Sequence, residues 1–247
     1  MLRGYERRSF TADAAGHPVT HDVYWRGAGT PVVLIQELPG IGPETLRLAD
    51  ALVEAGHLVV LPHLFGPLGR VSTIGNTARI LCMRKELTLF SQRSTSPVVD
   101  WLRALCRDVR ERHDARGVGV IGMCLTGNFA FSLIADESVL AAVASQPSMP
   151  ILSQDSLHMS DADVAASRAA LDDVGPMLAF RFEKDPLCAG AKFRALDRAF
   201  NDDAERIRLV TLPGRGHSVL TLDFVDAAGH PTREALDSVL TYFGERL

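Results

Sequence analysis

At 247 residues, 47% hydrophobic and 23% charged, the chain has the size and balance of a globular protein with one substantial core. A formal net charge of −4 gives no electrostatic reason to expect nucleic acid or an anionic membrane as partner. No stretch approaches the ~18 apolar residues of a membrane-spanning helix, and the charged start Met1 to Arg8 does not read as a signal peptide, so a cytoplasmic location is expected.

The first segment reads as a hairpin, Tyr5 to Thr11 and Val19 to Trp25 around a turn at Ala15-Gly16-His17-Pro18. After a turn at Gly27-Ala28-Gly29, Pro31 to Ile35 is the unbroken apolar run of a parallel strand buried on both faces. Pro43 suits a helix start and Gly56 its end, with Leu46, Ala49 and Val53 on one face between them. His57 to Pro62 is a second buried strand. A loop rich in glycine and proline, residues 63–75, leads to a helix from about Thr77 to Phe90 and another from Val98 to about His113. Val118 to Ile121, Val139 to Ala144, Met177 to Phe182 and Ile207 to Leu212 are further strands. Asn128 to Ala135 is helical, and Leu236, Val239, Leu240, Phe243 and Leu247 mark a last helix by their spacing. This alternation predicts an α/β fold over residues 1–247 as one domain, with a mainly parallel central sheet and helices on both faces. Residues 146–174 exceed a short crossover and hold a helix from Asp161 to Leu171; they form either a solvated excursion or a partial wall over a site.

Chemistry concentrates at Gly122-Met123-Cys124-Leu125-Thr126-Gly127, directly after the Val118 to Ile121 strand. A glycine two before and small residues just after let a strand turn abruptly into a helix. That bend lifts the intervening side chain above the sheet and aims the next backbone N–H at a reacting carbon. A free thiol is only about 3% thiolate at pH 7, a deficit of roughly 2 kcal/mol that a neighbouring histidine or carboxylate can supply. His217, in Gly214-Arg215-Gly216-His217-Ser218, is the candidate acid/base. Asp185, in Phe182-Glu183-Lys184-Asp185-Pro186, would hold its working tautomer. The loop Ile35-Gln36-Glu37-Leu38-Pro39-Gly40 is expected to give a second oxyanion N–H, from Leu38 opposite Leu125, and Glu37 is placed to reach Cys124. Taken singly, these residues are a buried cysteine, a loop histidine and a turn aspartate; their order at strand ends makes them a triad. Cys82 and Cys106 read as core residues on helices, and Cys188 as packing near Asp185.

Gln36-Glu37 followed by an apolar residue and a glycine, the Gly-x-Cys-Leu-x-Gly elbow, the Glu-Lys-Asp turn and Gly-His-Ser together resemble the dienelactone hydrolase family over nearly the whole chain. The resemblance implies an α/β-hydrolase fold and the opening of a small unsaturated lactone. It implies Cys124 as nucleophile, His217 as general acid/base, Asp185 as orienter and Glu37 as thiol activator, with a thioester intermediate hydrolysed by water. Two positions depart from the family pattern. Thr126 stands where the elbow usually has glycine, and Thr221 stands where the archetype has a carboxylate-binding arginine. Arg79 and Arg84, on the Thr77 to Phe90 helix, are loose counterparts of a second such arginine. The expected activity is hydrolysis of a lactone or small carboxylic ester, with the substrate and water as partners and no metal or organic cofactor. The alternatives are isomerisation or cyclisation of a thioester or biosynthetic intermediate by the same residues, and a non-catalytic small-molecule binding protein of this fold.

Overall fold

A computed structural model describes residues 2–38, 40–66, 68, 97–148, 156–157 and 159–247. The helix expected over Thr77 to Phe90, with Arg79, Cys82 and Arg84, lies outside these residues. Strands β1 (Glu6–Ala14) and β2 (His17–Arg26) form an antiparallel hairpin with Ala14 opposite His17. Only Ala15 and Gly16 make the turn, at φ 56° and 85°. Two successive left-handed residues give the twist that paired strands need. The turn is therefore shorter than the four residues the sequence suggested.

Strands β3 (Thr30–Leu34), β4 (His57–His63), β5 (Val118–Met123), β6 (Val139–Ser145), β7 (Met177–Phe182) and β8 (Ile207–Leu212) complete one sheet in the order β1-β2-β4-β3-β5-β6-β7-β8. Pairing is antiparallel at β1–β2 and β2–β4 and parallel from β4 across to β8. This is the α/β-hydrolase architecture, with a mainly parallel sheet covered on both faces.

Alternation along each strand divides the core. Val32, Leu34, Val59 and Leu61 face α1 (Pro43–Glu54) and α6 (Pro231–Arg246). Val33, Val60 and Val120 face the other layer, made by α2 (Pro97–Arg112), α3 (Gly127–Leu133), α4 (Asp161–Val174) and α5 (Gly190–Phe200). Burying each such side chain contributes about 1.5–3 kcal/mol, which is why the middles of β3 to β6 are apolar on both faces and their polar residues stand at the strand ends. In α1 the buried stripe is Thr45, Leu48, Ala49 and Leu52, while Leu46 and Val53 flank it half-buried. The expected stripe was thus rotated by part of a turn; only Ala49 belongs to both. Helix α4 starts at a capping box, Ser160 Oγ accepting the Asp163 N–H at 3.1 Å, and runs on to Val174, three residues past its expected end.

Strand β3 lies between β4 and β5, so the connections leaving it and entering β5 pass on opposite sides of the sheet. The carboxyl ends of β3 and β5 bound the crevice where such sheets bind ligands. Among the described residues no helix is long and apolar enough to cross a membrane.

Candidate active site

Cys124 sits at the end of β5 with φ 56°, a left-handed backbone that a residue with a side chain adopts only under constraint. The constraint comes from the glycines on either side. A Cβ on Gly122 would lie 2.2 Å from the Thr126 carbonyl oxygen, so this turn closes only over glycine. A Cβ on Gly127 would lie 3.0 Å from Pro147 Cα, so the segment after β6 can press against the elbow.

Thr126 has a definite task. Its hydroxyl accepts the Met123 N–H at 3.0 Å and lies 2.9 Å from the Met123 carbonyl and 3.0 Å from that of Gln36. Fully buried, it pins the loop after β3 to the elbow. Where the family's elbow usually has glycine, this chain thus has a hydroxyl spent inside the bend. Leu38 lies on the pinned loop, and Leu125 directly follows the cysteine.

Asp185 follows β7, and one of its oxygens accepts the N–H groups of Leu187 and Cys188, each at 2.8 Å. Both oxygens lie 2.9 Å from His217 Nδ1, with the aspartate side chain wholly buried. The histidine loop is closed by Asp223, whose Oδ2 accepts the N–H of His217 at 2.7 Å and that of Ser218 at 2.9 Å. Burial lowers the His217 pKa, but the Asp185 hydrogen bond and the nearby Cys124 sulfur outweigh it and push it up to about 10. Nε2 is buried and makes no hydrogen bond of ordinary geometry with the described residues, which leaves it able to accept or return a proton.

Glu37 is buried among neutral donors. The Thr221 hydroxyl bonds one oxygen, while Ser218 Oγ at 3.1 Å and Gln146 Nε2 at 3.2 Å share the other. Burial raises its pKa, and these three donors together with the charge of His217 oppose the rise. Cys124 is not among its hydrogen-bond partners; the carboxylate faces the histidine loop instead. Thr221 is buried behind that carboxylate, and its hydroxyl is directed at Glu37. Arg47, on α1, supports the same loop from below. Its Nη2 donates to the Leu220 carbonyl at 2.8 Å and to that of Thr221 at 3.3 Å, and its guanidinium lies 3.9 Å from the Phe224 ring centroid.

Two residues unremarked in the sequence belong to this cluster, Gln146 and Ser148, together with Ser218, which the sequence marked only as part of the Gly-His-Ser motif. Gln146 links Glu37 to the Val219 N–H, which its Oε1 accepts at 3.3 Å. Ser148 Oγ lies 3.4 Å from Cys124 Sγ. Cys106 and Cys188 are buried, and burial raises both thiols, that of Cys188 to about 12. Lys192 on α5 donates to the Ser156 carbonyl at 2.9 Å, tying that helix to the excursion, and burial pulls its pKa down to about 8.

The chain is 32% identical over 113 residues to a carboxymethylenebutenolidase of Rhodococcus opacus; the match takes in 46% of this chain and 41% of that protein, about two fifths of its length. Among solved structures, a Klebsiella pneumoniae subsp. pneumoniae chain assigned as a dienelactone hydrolase superposes with a TM-score of 0.69 at 17% identity, covering 98% of this chain and 99% of that one. A dienelactone hydrolase-like promiscuous phosphotriesterase from metagenomic libraries superposes at 0.65 with 15% identity, covering 98% and 99%. At such identities these two likenesses speak for the fold alone. The family model for dienelactone hydrolases matches residues 23–247, and the chain belongs to the dienelactone hydrolase family.

Proposed function

We propose that the protein hydrolyses a lactone or small carboxylic ester through a thioester on Cys124. The observation that carries this reading is Cys124 on its left-handed bend at the end of β5, together with a His217 ring whose Nδ1 is held 2.9 Å from the buried Asp185 carboxylate. In the reaction His217 Nε2 takes the thiol proton and Sγ attacks the ester carbonyl. The N–H groups of Leu38 and Leu125 receive the charge that develops on the carbonyl oxygen. Collapse of the tetrahedral species breaks the C–O bond, and the imidazolium gives its proton to the departing alkoxide, which stays tethered if the substrate is a lactone. Water, deprotonated by the same imidazole, then cleaves the thioester to the carboxylic acid and restores the thiol. Asp185 steadies the imidazolium throughout. Glu37 is the thiol activator: seated behind the histidine loop, its carboxylate favours the imidazolium that receives the thiol proton, so that proton rests on His217 while Sγ attacks.

A panel of lactones and p-nitrophenyl esters of graded acyl length tests the proposal, with and without an acidic substituent. Cys124→Ala should abolish turnover and Cys124→Ser should leave a small residue of it. Intact-protein mass spectrometry of the wild type should find the acyl group on Cys124. Near-wild-type turnover in Cys124→Ala overturns the reading.

A further inference from the structure

We propose that Ser148 is a catalytic residue whose hydroxyl donates a hydrogen bond to the Cys124 thiolate; this rests on the thioester reading above. Ser148 lies three residues beyond β6, and the chain is steered to it in steps. Gln146 takes φ 37° and donates its N–H to the Phe180 carbonyl at 2.7 Å, turning the chain out of the sheet and over the elbow. Pro147 then packs on Gly127, where a side chain would meet its Cα at 3.0 Å. Ser148 is fixed from both sides of its own backbone. Its N–H donates to the Cys124 carbonyl at 3.1 Å, and its carbonyl accepts Asn128 Nδ2 at 3.1 Å. Asn128 is wholly buried and also donates to the Leu125 carbonyl at 3.1 Å, so serine, cysteine and the residue after the cysteine form one rigid unit. In that unit the serine hydroxyl stands 3.4 Å from the sulfur, with both side chains buried.

The direction of the bond follows from proton bookkeeping. A hydroxyl has one hydrogen and two lone pairs, whereas a thiolate has none to give. When Sγ is ionised, Ser148 must therefore be the donor, and a hydrogen bond to the charged form favours that form. The serine exchanges no proton. It stabilises the sulfur anion before attack and again when the thioester breaks and Sγ leaves as thiolate. Other titratable groups act around the sulfur: His217 with Asp185 behind it, Cys188 from the loop after β7, and Glu37 through His217. All stay in place when only the serine is changed.

The test is the pH profile of Cys124 alkylation by iodoacetamide, followed at the Cys124 peptide by mass spectrometry. Losing a hydrogen bond to a charged group moves the acid limb up by about one pH unit in Ser148→Ala. Thiolate nucleophilicity rises with basicity at a Brønsted slope of about 0.4–0.5, so the two ends of the profile move in opposite directions. Alkylation becomes about threefold slower on the acid limb and about threefold faster on the alkaline plateau. Ser148→Thr keeps the hydroxyl and should return the profile to that of the wild type. Ser148→Gly, which keeps both backbone bonds, serves as a second deletion, and melting curves check that each variant is folded. A Ser148→Ala profile superimposable on the wild type overturns the proposal, even if ester turnover falls. Failure of the thioester reading shows separately, as turnover persisting in Cys124→Ala.

Discussion

Replacing Thr126 by valine preserves the side chain's shape and deletes one hydroxyl, so no cavity complicates the result. The deletion leaves the Met123 N–H without its acceptor in a fully buried position and takes a donor from the carbonyls of Met123 and Gln36. An unsatisfied buried donor costs about 1–3 kcal/mol and a lost neutral hydrogen bond about 1, so the variant should be less stable by about 2–4 kcal/mol. For a chain of this size that lowers Tm by about 5–15 °C. The same bonds anchor the loop carrying Leu38, and displacing a positioned group by about 1 Å can cost ~10²-fold. Turnover of p-nitrophenyl acetate should therefore fall about 10- to 100-fold, mainly in kcat. Thr126→Ser should keep most of both properties. A Thr126→Val protein melting within about 2 °C of the wild type, with kcat unchanged within about twofold, would refute the assigned role of the hydroxyl.

Two further outcomes depend on the charges of the site. Glu37→Gln should slow formation of the acyl-enzyme by about 10²-fold in rapid-mixing single-turnover experiments while deacylation is largely kept, and an unchanged acylation rate removes Glu37 as activator. The same variant reports the burial of the carboxyl group. A raised folded pKa means that the stabilisation is complete below the ordinary value of 4.5 and is lost as pH rises through the raised one. Urea titrations should accordingly show Glu37→Gln gaining on the wild type as pH increases. For His217, raised from 6.5 to about 10, the stabilisation is complete below pH 6.5 and lost as pH rises through about 10. Asp185→Asn should therefore lose on the order of 2 kcal/mol near pH 6, with the deficit shrinking towards pH 10. An equal deficit at both pH values would contradict the pairing.

The features legible in the sequence are those written in local pattern. Apolar runs marked β3 to β7, broken in β7 only by Arg181, because a strand covered on both faces is mostly apolar, and Gly122 marked the bend because no other residue closes it. Helix α1 was recognised, yet its buried face was misjudged because Leu46 looks as apolar as Leu48 until the sheet selects between them. The hairpin turn was read too long because alanine rarely accepts the left-handed backbone that Ala15 adopts. Ser148 and Gln146 carried no signal: in a segment rich in serine and proline, nothing distinguishes a hydroxyl aimed at sulfur from one aimed at water. That Thr126 ties the β3 loop to the bend was equally invisible, since its partner there, the Gln36 carbonyl, lies 90 positions away in the chain.

Arg47 bears on how the reacting groups are held in register. Through Gln36 the β3–α1 unit grips the cysteine bend, and through Glu37 and Arg47 it grips the histidine loop. One strand and its following helix thus act as a common mounting for parts that lie far apart in the chain. Cysteine bend and imidazole loop are thereby braced against each other as well as against the strands that carry them.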